Sequence, residues 1–155
     1  MTNILSLLDN LRKNGHKLTT AESCTGGLIA AAITEIAGSS DIFDRGFVTY
    51  SNQSKIDILG VSPATLAAHG AVSEQTCREM LQGAIANSGA NIAIATTGIA
   101  GPTGGSPEKP VGLVYIGILQ YSNMRIVKLH LSGSRAQVRA EAVERALNLL
   151  DLVIP

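Results

Sequence analysis

The sequence predicts one α/β domain whose mixed β-sheet is covered by helices on both faces. Three observations predict it. Segments of helical and strand periodicity alternate along most of the chain. A hairpin pattern interrupts that alternation near the end. No linker, internal repeat or low-complexity tract divides the 155 residues, so a single domain spans 1–155. A chain of this length buries roughly two-thirds of its unfolded surface. Aliphatic residues and Ala dominate and aromatics make up only 3%, a composition that excludes a disordered chain.

The elements follow in order. Ile4, Leu5, Leu7, Leu8 and Leu11 recur at helical spacing in an amphipathic helix over 1–12, and Gly15 stops it. Residues 17–21 are short, Thr-rich and read as a strand. Glu22 to Gly27 is a small-residue turn into a helix over 28–36. A loop at 38–40 precedes a second strand over 43–50. Ser51 or Asn52 caps a short helix that carries Lys55 and ends near Gly60. A helical turn at 63–68 is followed by a helix over 74–86, capped by Ser73. Residues 91–97 form a strand feeding a glycine loop. Strands over 111–121 and 124–131 form a hairpin around Ser122-Asn123, and an amphipathic helix over 135–150 closes the chain.

Charge and cysteine usage narrow the function classes. The formal net charge is zero and Lys and Arg are dispersed, so neither nucleic acid nor a membrane is an expected partner. A local cationic pocket for a small anion stays open. No apolar run reaches the roughly 18 residues of a membrane span, and the first residues lack a signal-peptide pattern. Cys24 and Cys77 form neither a CxxC pair nor a Cys/His zinc spacing. Two free thiols fit a reducing cytoplasm, and no metal is expected.

Four features carry chemistry. Ser23 stands between a strand and a helix N-terminus, where a serine caps the helix, binds an anion or acts as a nucleophile. A nucleophile needs a base, and His16, His69 and His130 lie outside small-residue motifs, which argues against a Ser-His-Asp triad. Lys55, in a polar segment after a strand, is a better base if burial lowers its pKa toward 7–8, roughly; the alternative is a solvated helix lysine. Tyr50 is open between packing and proton relay. Cys24 is the rival nucleophile, unless it is buried and inert. The glycine loop after Thr97, with Gly98, Gly101, Gly104 and Gly105, lets backbone N–H groups approach a ligand, and matches neither GxxxxGK[ST] nor GxGxxG.

As a set, these segments resemble the CinA C-terminal family, whose active members are nicotinamide-nucleotide amidases. The resemblance rests on Thr20-Ala21-Glu22-Ser23-Cys24-Thr25-Gly26-Gly27, on Gly46-Phe47-Val48-Thr49-Tyr50-Ser51-Asn52 with Lys55, and on Gly70-Ala71-Val72-Ser73-Glu74. It continues through Thr97-Gly98-Ile99-Ala100-Gly101-Pro102, Glu108-Lys109-Pro110-Val111-Gly112 and Gly133-Ser134-Arg135 with Arg139. Two positions depart from the family pattern: Thr97 stands for Ser and keeps the hydroxyl, and Ser134 stands where Asp is frequent.

The resemblance implies a three-layer α/β/α sandwich and hydrolysis of nicotinamide mononucleotide to nicotinate mononucleotide and ammonia, in pyridine-nucleotide recycling. Ser23 would be the nucleophile, Lys55 the base and Tyr50 a relay. Cys24, Thr25, Gly26, Gly27, Asn52, Thr97, Gly98, Gly101, Arg135 and Arg139 would bind the substrate, an arginine taking its phosphate. No cofactor is expected, and a homo-oligomer is. A non-catalytic nucleotide-binding or regulatory member of the family is the alternative. The pyrophosphatase activity of the amino-terminal domain of CinA proteins is not expected of these residues.

Overall fold

The computed structural model describes residues 2–154; Met1, where the first helix was expected to begin, and Pro155 lie outside the described residues. In chain order the elements are α1 (Ile4–Lys13), β1 (Leu18–Glu22), α2 (Leu28–Thr34), β2 (Phe43–Val48), α3 (Asn52–Leu59) and α4 (Pro63–His69). They continue with α5 (Glu74–Ala86), β3 (Ile92–Gly98), β4 (Leu113–Gln120), β5 (Asn123–His130) and α6 (Arg135–Val153). The strands form one sheet in the order β2-β1-β3-β4-β5. The first three run parallel, and β4 and β5 return antiparallel, so the sheet is mixed as the sequence predicts.

The three layers follow from side-chain alternation in the central strand β3. Ile92 and Ile94 face a core shared with α1, α2 and α6, while Ala93 and Ala95 face the opposite core under α5. The alanine face lets α5 press close to the sheet. At Gly117 of β4 a Cβ would lie 2.6 Å from Leu81 Cδ1. At Gly83 of α5 it would lie 1.9 Å from the Leu59 carbonyl oxygen, so glycine there is a packing requirement between α5 and the end of α3.

Serines start the helices around the site. The hydroxyls of Ser51, Ser73 and Ser134 accept the N–H of Ser54, Thr76 and Gln137 respectively. Ser51, not Asn52, is therefore the cap of α3. Two expectations shift. The second strand ends at Val48 instead of Tyr50, which frees Thr49 and Tyr50 to turn into α3. The hairpin turns on Tyr121-Ser122 instead of Ser122-Asn123: Asn123 pairs with Gln120, and Tyr121 takes the left-handed conformation at φ 53°. Among the described residues no helix is long and apolar enough to cross a membrane.

Candidate active site

Because β2, β1 and β3 are parallel neighbours, their carboxyl ends lie side by side at one edge of the sheet, where open α/β sheets place their ligands. Ser23 follows β1 directly. Its N–H donates to the Thr96 carbonyl at 3.0 Å, which extends the β1–β3 ladder by one residue and fixes the serine backbone. Thr49 does the same from β2, its N–H donating to the Glu22 carbonyl at 2.9 Å. The chain then folds back through α3 and delivers Lys55 to the serine.

Lys55 is fully buried. Its Nζ lies 2.9 Å from Ser23 Oγ, 2.7 Å from the Thr49 carbonyl oxygen and 3.3 Å from that of Tyr50. Burial pulls its pKa down from 10.5 to about 8, opposed by the nearby Cys24. The arrangement has a definite consequence for the neutral amine. Its two N–H groups serve the two carbonyls, and its lone pair is left for the Ser23 hydroxyl proton. Burial has the opposite effect on Cys24, pushing its thiol up to about 11, so this cysteine stays protonated beside the serine. His16, His69 and His130 do not line the cavity that holds Ser23.

The turn after Ser23 is held by a carboxylate that the sequence did not single out. Glu22 is fully buried at the end of β1. Its Oε1 accepts the Thr25 hydroxyl at 2.6 Å and the Ile29 N–H at 2.9 Å, and its Oε2 accepts the Ala30 N–H at 3.0 Å. With the Thr25 proton so committed, Thr96 Oγ1 is the donor in its 2.8 Å contact with Thr25 Oγ1. The amides of Ile29 and Ala30 at the start of α2 are thus occupied by Glu22. A carboxylate at a helix N-terminus is the usual signal for such a role, and Glu22 precedes α2 closely enough to have shown it.

A cavity of about 250 Å³ opens over the pair. Ser23, Cys24 and Lys55 form its floor, and Ala71, Val72, Ile99 and Ala100 an apolar wall. Tyr50, Thr103, Gly104 and Arg135 form the rim, and Thr97, Gly98 and Gly101 complete the lining. Thr97 donates its hydroxyl to the Ala71 carbonyl at 2.7 Å and so ties the end of β3 to the segment between α4 and α5. Lys109 reaches the His69 carbonyl and ties down the far end of the glycine loop. Gly101 sits at φ +83°, where a Cβ would lie 2.4 Å from Val111 Cγ1. No side chain fits there.

Five residues expected to bind substrate do not line the cavity. Asn52 is exposed on the first turn of α3. Thr25 is buried in the Glu22 network, and Gly26 and Gly27 make the left-handed turn behind it, at φ 59° and 101°. Arg139 points at the carbonyls of Cys24 and Thr25. The two arginines therefore separate: Arg135 NH1 donates to the Gly101 carbonyl and its NH2 to the Tyr50 hydroxyl, both at 2.8 Å, across the cavity mouth. Tyr50 accordingly reaches Lys55 through its carbonyl, while its hydroxyl belongs to Arg135. Ser134, at the departing family position, forms a capping box with Gln137. Among the described residues no three His, Cys, Asp or Glu side chains converge as a metal site.

An α/β/α sandwich with a buried lysine on a serine at the strand ends defines a class of domain. Within it, residues 3–154 match the model of the CinA C-terminal domain, and the chain belongs to that family. A nicotinamide-nucleotide amidohydrolase PncC from Enterobacter agglomerans is 54% identical over 133 residues, 85% of this chain and 81% of that protein. A CinA-like protein from Kosmotoga olearia is 49% identical over 140 residues, 90% of this chain but 34% of that protein. The chain spans about a third of the length of this and several other relatives it matches. Among solved structures, the competence/damage inducible protein CihA from Agrobacterium tumefaciens superposes with a TM-score of 0.91 at 47% identity, over 98% of this chain and 96% of that one. A CinA superfamily protein from Klebsiella pneumoniae gives 0.93 at 38% identity, over 99% and 98%.

Proposed function

We propose that this chain is an amidase that hydrolyses the carboxamide of nicotinamide mononucleotide, with Ser23 as nucleophile and Lys55 as base. The observation that carries the reading is the 2.9 Å approach of Lys55 Nζ to Ser23 Oγ, with the lysine buried and its pKa lowered to about 8. The naming of the Enterobacter relative as a nicotinamide-nucleotide amidohydrolase supports the substrate.

Neutral Lys55 takes the hydroxyl proton of Ser23 as Oγ bonds to the carboxamide carbon, and the carbonyl electron pair moves to oxygen. Backbone N–H groups of the Cys24 turn and the glycine loop stabilise that oxyanion; one such donor is typically worth about 2.7–4 kcal/mol. Collapse breaks the C–N bond, and the nitrogen leaves as ammonia with the proton returned by Lys55. Water then attacks the acyl-serine, gives its proton to Lys55, and releases the carboxylate with Ser23 restored. The apolar wall suits the pyridine ring, and the rim with Arg135 suits the phosphate. No step draws on a cofactor.

The test is ammonia release from nicotinamide mononucleotide, with free nicotinamide and NAD as controls. Tight binding of the mononucleotide without ammonia release would favour the non-catalytic family reading instead.

A further inference from the structure

We infer that Arg139 is a positioning residue for the serine turn and not a ligand of the substrate phosphate; the inference rests on the amidase reading and refines it. Arg139 lies one helical turn beyond Arg135 on α6 and is half-buried. Its Nε–H donates to the Cys24 carbonyl at 3.1 Å and its NH2 to the Thr25 carbonyl at 3.3 Å. A guanidinium spread over two successive carbonyls fixes both peptide planes, because a trans peptide points its N–H away from its C=O. The preceding plane is fixed as well: the Ser23 carbonyl accepts the Gly26 N–H at 3.0 Å, which turns the Cys24 N–H to the other side.

Among the described residues the Cys24 N–H makes no backbone hydrogen bond to another residue and meets only its own thiol, and Cys24 lines the cavity beside Ser23. It is the amide that the clamp leaves available to the oxyanion. Two further observations agree. Gly26 stands at φ +59°, and a Cβ there would lie 3.3 Å from Arg139 NH2, so the guanidinium packs directly against the turn. On the opposite side Glu22 grips Thr25 and the start of α2. The nucleophile turn is therefore held between a cation on its carbonyls and an anion on the Thr25 hydroxyl and the first amides of α2. A pre-set donor costs no reorganisation during reaction, which is the physical advantage of such a clamp.

The experiment compares wild type, Arg139→Ala and Arg139→Lys in three readouts: kcat and KM on the mononucleotide and its riboside, the rate of Ser23 modification by a fluorophosphonate, and recovery by added guanidinium ion. For Arg139→Ala the clamp predicts a kcat lower by about 10- to 100-fold, short of the loss that removing a donor outright causes, with KM within about twofold. The mononucleotide-to-riboside ratio stays unchanged and Ser23 modification slows in step. Millimolar guanidinium restores part of both rates, and Arg139→Lys falls between the two. A KM rise confined to the mononucleotide would overturn the clamp in favour of phosphate binding. A lowered Tm with unchanged Ser23 modification in the folded protein would overturn it in favour of a structural role. Ser23 modification without ammonia release in wild type would refute the amidase reading, and the clamp would still stand or fall by the modification rates.

Discussion

Lys55 Nζ and Ser23 Oγ stand 2.9 Å apart although 32 positions separate them in the chain. The lysine reaches the serine because β2 pairs with β1 and α3 begins within a few residues of its end. Burial without a carboxylate partner is what lowers its pKa, since desolvation opposes the charged form.

A pH dependence follows from that shift. The base works only when neutral, so kcat/KM falls about tenfold per unit as pH drops below about 8 and levels above it. Lys55→Met removes this limb and lowers kcat by about 10²-fold or more. Stability moves in a related way. The native lysine releases its proton near pH 8 and the unfolded one near 10.5, so wild type gains stability relative to Lys55→Met as pH rises between these values. The gain has an upper bound on the order of 3 kcal/mol. Urea unfolding at pH 7.5 and about 10 measures it.

Cys24 offers a clean contrast to Ser23. Its thiol is held protonated by burial and faces the same cavity floor. Cys24→Ala keeps turnover within about tenfold of wild type, because its backbone N–H remains. A complete loss of ammonia release in Cys24→Ala, with the fold retained by circular dichroism, would transfer the nucleophile role to the cysteine.

Loss of Glu22 affects stability near the site. Three donors end on its buried carboxylate: the Thr25 hydroxyl and the amides of Ile29 and Ala30. Each buried donor left unpaired costs about 1–3 kcal/mol, so Glu22→Ala destabilises by about 3 kcal/mol or more. Glu22→Gln loses less, because one oxygen still accepts. Denaturant midpoints with equal slopes in the three proteins give the comparison.

The phosphate prediction now falls on Arg135. It spans Tyr50 and Gly101 with one donor from each terminal nitrogen, leaving its Nε–H and the second protons of both for an anion. Wild type prefers the mononucleotide over nicotinamide riboside, and Arg135→Ala narrows that preference by about 10- to 100-fold. Equal kcat/KM on both substrates in wild type would remove the phosphate anchor from the account. Addition of a chelator leaves all these rates unchanged, because the reaction as drawn needs no Lewis acid.

Much of the fold was legible because its local signals agree. The β-like run of 91–97, a cap at Ser51 or Asn52 for α3 and at Ser73 for α5, and glycines at the turns each point to the element found. The Tyr121-Ser122 turn was misplaced because Tyr121 adopts a conformation that glycine or asparagine normally signals. Of the residues that line the cavity, the sequence had singled out Ser23, Cys24, Tyr50, Lys55, Thr97, Gly98, Gly101 and Arg135. It did not separate Arg135 from Arg139, since a four-residue spacing puts both on one helix face and says nothing of where each guanidinium ends. Glu22 carried the usual signal, a carboxylate just ahead of a helix, but which amides it takes, those of Ile29 and Ala30, is set only when the turn folds it back onto α2. The wall of Ala71 and Val72 is set by the Thr97 hydroxyl on the Ala71 carbonyl, a contact 26 positions apart that no local pattern encodes.

The most direct test of the central claim is ammonia release from nicotinamide mononucleotide by wild type and Ser23→Ala side by side, with both proteins shown to be folded. The account predicts steady release of ammonia and nicotinate mononucleotide by wild type and none above background by Ser23→Ala. Equal release by the two proteins, or none by the folded wild type, would contradict it.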